Sequence, residues 1–325
     1  MTEKTLTNQT MTSTTAKPTQ NAAIQLVNAL LNIKPLFGIA KAQARNMMIK
    51  RASILGIDWL KTAADLRNQD LEAHREAVEN KQLQYPDYYL RPFHAYEDGN
   101  MGWLPASEVE VAAYAVHSKV WDKKNAAKDG DARLRQSYHD ILRNYLAQNA
   151  PTAPQNLLDV GCSVGMSTFA LQATYPNAQI TGMDLSPYFL AVARHNHETH
   201  HPEAAVEWIH GAAETTHLPD NSFDLVSVFL LFHELPADIA RQVLREARRI
   251  LRPGGHFAMM DMNPFSDIYA KMPPYILTLL KSTEPYLDEY FSFDFTNELL
   301  TAGFAEPFVQ ANSPRHRTII AKAVK

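Results

Sequence analysis

Cysteine is almost absent from this sequence: Cys162 stands alone in 325 residues. A single thiol can form no internal disulfide and no cysteine-rich zinc site, so the chain reads as the product of a reducing compartment, most simply the cytoplasm. Long apolar runs are missing too. No stretch reaches the roughly 18 uninterrupted apolar residues of a membrane-spanning helix. There is no basic excess: 31 Lys+Arg face 35 Asp+Glu, a formal charge of −4, which excludes general nucleic-acid binding as the main role. Residues 1–20 are Thr-rich and poor in apolar side chains; they read as a disordered tail, without the apolar core of a secretory signal. What remains is ordinary for a folded protein, 46% hydrophobic and 20% charged, long enough for about two domains or one domain with a large extension.

Acidic residues are missing from one place in particular. Between Lys4 and Ile57 there are none, whereas Lys34, Lys41, Arg45, Lys50 and Arg51 supply positive charge. Apolar residues recur there at helical spacing (Ile24, Val27, Leu30, Leu31), with Pro35 and Gly38 expected to separate this helix from one over 40–54. A basic amphipathic segment over 24–57 is either a solvated helix face or a surface for an anionic membrane or an acidic partner. A third helix is expected over 58–79. The stretch Tyr85–Trp103 differs in kind: Tyr85, Tyr88, Tyr89, Phe93, Tyr96 and Trp103 crowd between Pro86, Pro92, Gly99 and Gly102. So many rings in a loop either pack on a core or line an apolar pocket. Helices over 106–121 and 131–147 complete a helical cap, 21–150, that ends at Pro151 and Pro154.

From 151 onward the pattern alternates. Short apolar runs at 156–160, 179–183, 206–209, 223–230 and 256–262 read as strands, with helices over 187–198 and 236–251. Strand–helix–strand in this order is an α/β fold with a parallel sheet and crossover helices. The last segment, 315–324, reads as a strand paired through a hairpin with 303–310.

The most informative stretch is Asp159-Val160-Gly161-Cys162-Ser163-Val164-Gly165. A buried strand ends at Gly161, and glycine lets the chain turn sharply and a ligand approach the backbone. The second strand ends in Asp184, where a carboxylate can accept both hydroxyls of an adenosine ribose. A dinucleotide would require the tighter G-x-G-x-x-G spacing for its pyrophosphate. Here the next glycine after Gly161 is four positions on, and Asp159 suits a cationic ligand better than a phosphate. S-adenosylmethionine carries an ammonium and a sulfonium and no phosphate.

With the further segments Gly182-Met183-Asp184-Leu185-Ser186, Gly211-Ala212-Ala213-Glu214, Phe223-Asp224-Leu225-Val226 and Leu251-Arg252-Pro253-Gly254-Gly255, the chain over about 155–325 resembles the class I S-adenosylmethionine-dependent methyltransferases. Within them it is similar to the small-molecule branch that includes quinone methyltransferases. The whole chain is similar to a group from cyanobacteria and plastids. The resemblance implies a Rossmann-like, seven-stranded, mostly parallel sheet with an N-terminal helical cap, and S-adenosyl-L-methionine as cofactor. It implies that Gly161, Ser163 and Gly165 pass the methionine end, that Asp159 helps hold the amino group and that Asp184 binds the ribose. Leu185 would pack on adenine, Ala213 and Glu214 would flank its edge, and Phe229 would complete the cofactor site. Ser163 stands where the family often has glycine and Ala212 where it often has Asp, which removes one side-chain acceptor for adenine.

Methyl transfer needs a base only when the acceptor must lose a proton. The fourth strand leads into His233 and Glu234 on the cofactor side of the sheet, and either could deprotonate a phenol, enol or carboxylic acid; Glu234 could instead cap the following helix. His94 is a further candidate. Tyr88, Tyr89, His94 and Tyr96 from the aromatic loop, with Tyr269 and Tyr275 from an insertion over 264–293, are expected to wall a pocket for a small lipophilic or aromatic acceptor, the insertion acting as a lid. The cluster His195, His197, His200 and His201 lies at an exposed helix end without a carboxylate pattern, so no metal is assigned to it. Cys162 reads as a packing residue. Two other functions stand beside methyl transfer: an NAD-dependent oxidoreductase, disfavoured by the glycine spacing, and a non-catalytic S-adenosylmethionine-binding sensor or scaffold. None of these readings sets an oligomeric state.

Overall fold

Alternation of buried strands with crossover helices after Pro154 produces one seven-stranded sheet. The computed structural model describes residues 34–94 and 96–324, with the side chains of 34–41 and of Tyr275 left undescribed. The expected tail over 1–20 and the helix around Ile24–Leu31 lie outside these residues. The strands are β1 (Asn156–Val160), β2 (Gln179–Asp184), β3 (Val206–His210), β4 (Phe223–Phe229), β5 (Leu251–Met262), β6 (Phe308–Ala311) and β7 (His316–Lys322). They lie in the order β3-β2-β1-β4-β5-β7-β6. The first five pair in parallel, whereas β7 runs antiparallel to both β5 and β6, as the hairpin reading expected.

Both faces of the sheet are covered, which is why its strands read as nearly continuous apolar runs. Successive residues point to opposite faces. Leu158, Val160, Val226 and Val228 pack with Val243, Leu244 and Ala247 of the helix Ala237–Ile250. Leu157, Leu225, Ala258 and Met260 pack instead with Leu134, Tyr138 and Leu142 of the helix Gly130–Asn149. Strand order reverses between β1 and β4, so the crevice beyond their carboxyl ends is where an α/β sheet of this kind takes a ligand.

Three expectations about the cap need correction. The helix α1 (Lys34–Ile54) is continuous through Pro35 and Gly38. Proline is tolerated in a first helical turn, where its missing N–H has no intrahelical acceptor, so Pro35 is compatible with this helix and Gly38 does not interrupt it; the helix expected before Pro35 lies outside the described residues. The expected helix over 58–79 is two helices, α2 (Trp59–Arg67) and α3 (Leu71–Val78), each preceded by an aspartate; Asp58 Oδ1 accepts the Lys61 N–H at 3.1 Å. The helix expected over 106–121 is α4 (Trp103–His117), so the aromatic loop ends at Gly102. Ala52, Trp59, Val111 and Ala115 form the apolar contact between α1, α2 and α4. The insertion after β5 folds as Asp267–Ala270, Pro274–Thr283 and Leu287–Ser292, three short helices.

Candidate functional site

The turn after β1 is built by backbone constraints. Gly161 and Gly165 have φ of +70° and +89°, values that suit glycine. The N–H groups of Gly161 and Cys162 both donate to Met183 O, at 2.8 and 3.0 Å, which fastens the turn to the end of β2. A side chain at Gly161 would lie 3.0 Å from Leu231, so the turn and the segment after β4 face each other across the crevice. Ser163, at φ +51°, directs its N–H to Asp184 Oδ2 at 2.8 Å, and its hydroxyl is buried without a partner. Asp184 Oδ1 accepts the Ser186 N–H at 2.8 Å. Burial pushes the Asp184 carboxyl up to about 6 against the pull of these backbone donors.

These residues open on a cavity of about 920 Å³. Gly161, Ser163, Asp184, Leu185, Ala213 and Phe229, the residues expected around the cofactor, line it, and so does Cys162, whose thiol is raised by burial. Gly165 lies behind this wall, against Phe169 and Trp208. Asp159 is also outside the lining: fully buried, it accepts the hydroxyls of Ser167 and Thr168, both at 2.7 Å, and fixes the start of the helix Met166–Thr174. Glu214 faces a neighbouring cavity of about 530 Å³ and accepts the Tyr88 hydroxyl at 3.0 Å through Oε1, while Oε2 is buried without a partner.

The aromatic loop and the insertion close the other side. Tyr88, Tyr89, His94, Tyr96 and Tyr269 all line the large cavity, and the side chain of Tyr275 lies outside the described residues. The Tyr96 hydroxyl is engaged elsewhere, donating to Glu108 at 2.7 Å. The Ser186 hydroxyl donates to Asn100 O at 2.7 Å, joining the loop to the sheet edge. The His94 N–H donates to Thr283 O at 3.2 Å, joining it to the insertion. Tyr290 donates to Met262 O at 2.6 Å and anchors the insertion on the end of β5. Three non-glycine residues with positive φ, His94, Ser163 and Leu230, line this one cavity; strained backbone of this kind gathers at functional sites.

A polar cluster sits at the far end. His233 Nδ1 lies 2.8 Å from Asp261 Oδ1, and the His233 N–H donates to Asp261 Oδ2 at 3.2 Å. His94 Nε2 lies 3.3 Å from Glu234 Oε1 and 3.2 Å from Glu284 Oε1. Burial opposes charge on both imidazoles, but the carboxylates outweigh it: Asp261 above all carries His233 up to about 10, and Glu284 with Glu234 carries His94 up to about 9. Burial raises Glu234 to about 7 against the two histidines. Glu234 does not cap the helix that follows. Glu289 Oε2 accepts the Ala237 N–H at 2.7 Å instead, and Glu234 lines the cavity with its Oε1 toward His94.

Sequence reasoning missed Asp261, Glu284 and Arg135. Asp261 could have been found, since it stands at the carboxyl end of β5 just as Asp184 stands at the end of β2. Glu284 carried no local signal, and Arg135, over the ring of Phe229 at 4.5 Å, looked like an ordinary helix residue. In the cluster near the end of the helix Pro187–His200, His197 accepts the Trp208 indole N–H at 3.2 Å and His201 stacks on Phe169.

Residues 158–259 match the family described as methyltransferase domain. Those residues are a methyltransferase domain. S-adenosylmethionine is the cofactor of that domain, and the lining fits it with an unpartnered Ser163 hydroxyl and a two-oxygen acceptor in Asp184; Asp159, outside the lining, lies beneath the helix start where a pyrophosphate would otherwise sit. The chain is 33% identical over 132 residues to the ubiquinone/menaquinone biosynthesis C-methyltransferase of Bradyrhizobium diazoefficiens, 40% of this chain and 51% of that one. It is 32% identical over 157 residues to the malonyl-acyl-carrier-protein O-methyltransferase of Dechloromonas aromatica, 43% of this chain and 55% of that one. It therefore spans about half the length of these curated relatives. A solved S-adenosylmethionine-dependent methyltransferase from Aquifex aeolicus is 18% identical, covers 58% of this chain and 93% of its own, and superposes with a TM-score of 0.44. The matched residues end within β5, and the loop and insertion that complete the cavity, like β6 and β7, lie outside them.

Proposed function

We propose that the chain is an S-adenosylmethionine-dependent methyltransferase whose acceptor is a small, largely apolar molecule methylated at oxygen or at an acidic carbon. One observation carries this reading: a single cavity runs from the glycine turn and Asp184 to the cluster of His94, His233 and Glu234. When bound, the cofactor supplies a methyl group on a sulfonium, already activated for displacement. Asp184 would accept its ribose hydroxyls, with Gly161, Ser163, Leu185 and Ala213 beside it. The rest falls to positioning and exclusion of water. Tyr88, Tyr89 and Tyr269 would hold an apolar acceptor. Where the acceptor must lose a proton on methylation, the Glu234 carboxylate would take it. Names of relatives, which include a quinone-biosynthesis enzyme and a fatty-acid O-methyltransferase of Mycolicibacterium smegmatis, support an acceptor of this size and polarity. The lone, buried cysteine supports a cytoplasmic location.

Calorimetry with the full chain is expected to show binding of S-adenosylhomocysteine and none of NAD; the reverse result removes this reading. Labelled methyl from the cofactor is then offered with a prenylated quinol, a long-chain fatty acid and a malonyl thioester. Transfer to one of them separates an enzyme from a sensor. Glu234→Gln is expected to lower kcat by about 10²-fold or more while cofactor affinity stays unchanged. An undiminished kcat assigns the proton to another group.

A further inference from the structure

We infer that the far end of the cavity is a binding site for one divalent transition-metal cation, held by His94, His233 and Glu284. The three come from separate parts of the chain: the aromatic loop, the turn after β4, and the end of the helix Pro274–Thr283. Their ligand atoms nevertheless all lie within 4.8 Å of one another. Metal–nitrogen bonds of about 2.1 Å place tetrahedral ligands roughly 3.4 Å apart. His94 Nε2 and Glu284 Oε1 already stand at 3.2 Å.

Three independent features point to a cation there. Glu284 is buried, 7% exposed, and its Oε2 has no hydrogen-bond partner. An unpartnered buried carboxylate oxygen is costly, and a cation at this point satisfies it. His233 Nδ1 lies 2.8 Å from Asp261 Oδ1, so the other ring nitrogen, Nε2, is the one a cation would take, displacing the proton that the surrounding carboxylates favour there. This carboxylate–imidazole arrangement is the usual support of a metal-bound histidine. His94 is held at φ +47°, with its N–H on Thr283 O, next to Glu284 in the chain. The loop thus carries strain in the conformation that sets His94 against that carboxylate.

Two imidazoles and one carboxylate suit manganese, iron, cobalt or zinc better than magnesium or calcium, which take oxygen ligands. Three protein ligands also leave coordination positions open to the cavity, where an acceptor's oxygen can bind, with Glu234 beside it. The use of the cation rests on the proposed methyl transfer, but its presence does not.

The full chain is stripped with a chelator, titrated with Co²⁺ and desalted. One retained cobalt per chain with visible ligand-field bands is expected. Glu284→Gln and His94→Ala are each expected to weaken cobalt binding by at least about tenfold while S-adenosylhomocysteine binding and far-ultraviolet circular dichroism stay those of the parent. His200→Ala, in the other histidine cluster, is expected to keep the bands. No retained cobalt in the parent overturns the inference. So do bands that survive Glu284→Gln and His94→Ala unchanged, or that vanish with His200→Ala. Cofactor binding and methyl transfer without any cobalt uptake would end the metal inference and leave the methyltransferase reading in place.

Discussion

Asp184 does two things with one carboxylate. Its two oxygens take the N–H groups of Ser163 and Ser186, and so shape the turn that faces the ligand. In the proposed function each oxygen also offers a lone pair to a ribose hydroxyl. Hydrogen bonds to a charged group contribute about 1.5–3 kcal/mol each. Losing two of them corresponds to an affinity loss of about 10²-fold or more. Asp184→Ala is therefore expected to weaken S-adenosylhomocysteine binding by at least that factor in calorimetry, and to lower Tm because two backbone donors lose their acceptor. Asp184→Asn keeps an acceptor for only one of them and is expected to fall between. Unchanged affinity in the alanine variant would place the ribose elsewhere. Asp159 was read as a ligand residue on the same kind of argument, but its carboxylate turns toward Ser167 and Thr168. The difference is register: Asp159 lies within β1, beneath the turn, whereas Asp184 is the last residue of β2.

The basic helix α1 shows what an element adds to a charge pattern. Arg45 forms an ion pair with Glu108, which is 1% exposed, and Arg51 reaches Ala115 O at 3.4 Å. Two of the charges that suggested an anionic surface are thus spent inside the cap. Among the described residues, no helix is long and apolar enough to cross a membrane. The full chain is expected to sediment equally little with anionic and with neutral vesicles at physiological salt; a clear excess with the anionic ones would favour the membrane alternative for 24–57 over the solvated helix face. Legibility followed the range of the interaction. The strands were legible because a sheet covered on both faces writes short, nearly continuous apolar runs into the sequence, and the glycine turn because positive φ selects its residues. The division of 58–79 into α2 and α3 was signalled only by Asp70, which an uninterrupted apolar period concealed. Glu284 meets His94 only through tertiary folding, and nothing near either residue in the chain announces the other.

At the scale of the whole molecule, stability is set partly by histidines that the fold keeps uncharged. Burial lowers His139 to about 4, helped by the neighbouring charge of Arg135, and both its ring nitrogens are without partners. His316 is likewise held well below its ordinary value by burial, with Arg315 adding to the effect. Between the unfolded value near 6.5 and the folded value, the unfolded chain binds the proton and the folded one does not, so stability falls as pH falls through that window. Two carboxyls act in the opposite sense. Asp159 and Asp184, raised to about 6 by burial, take up protons on folding between that value and the ordinary carboxyl range, and so oppose acid unfolding. The total curve is therefore muted, and a single residue is best read as a difference between two proteins. His139→Leu removes the titrating ring from an apolar site beside Tyr138. Urea midpoints measured from pH 7 to pH 4 are expected to show the parent losing roughly 3 kcal/mol relative to this variant across the window. Against a typical total of about 5–15 kcal/mol, that difference is readily measured. A parallel pair of curves would mean that His139 already shares its proton equally between the folded and unfolded states.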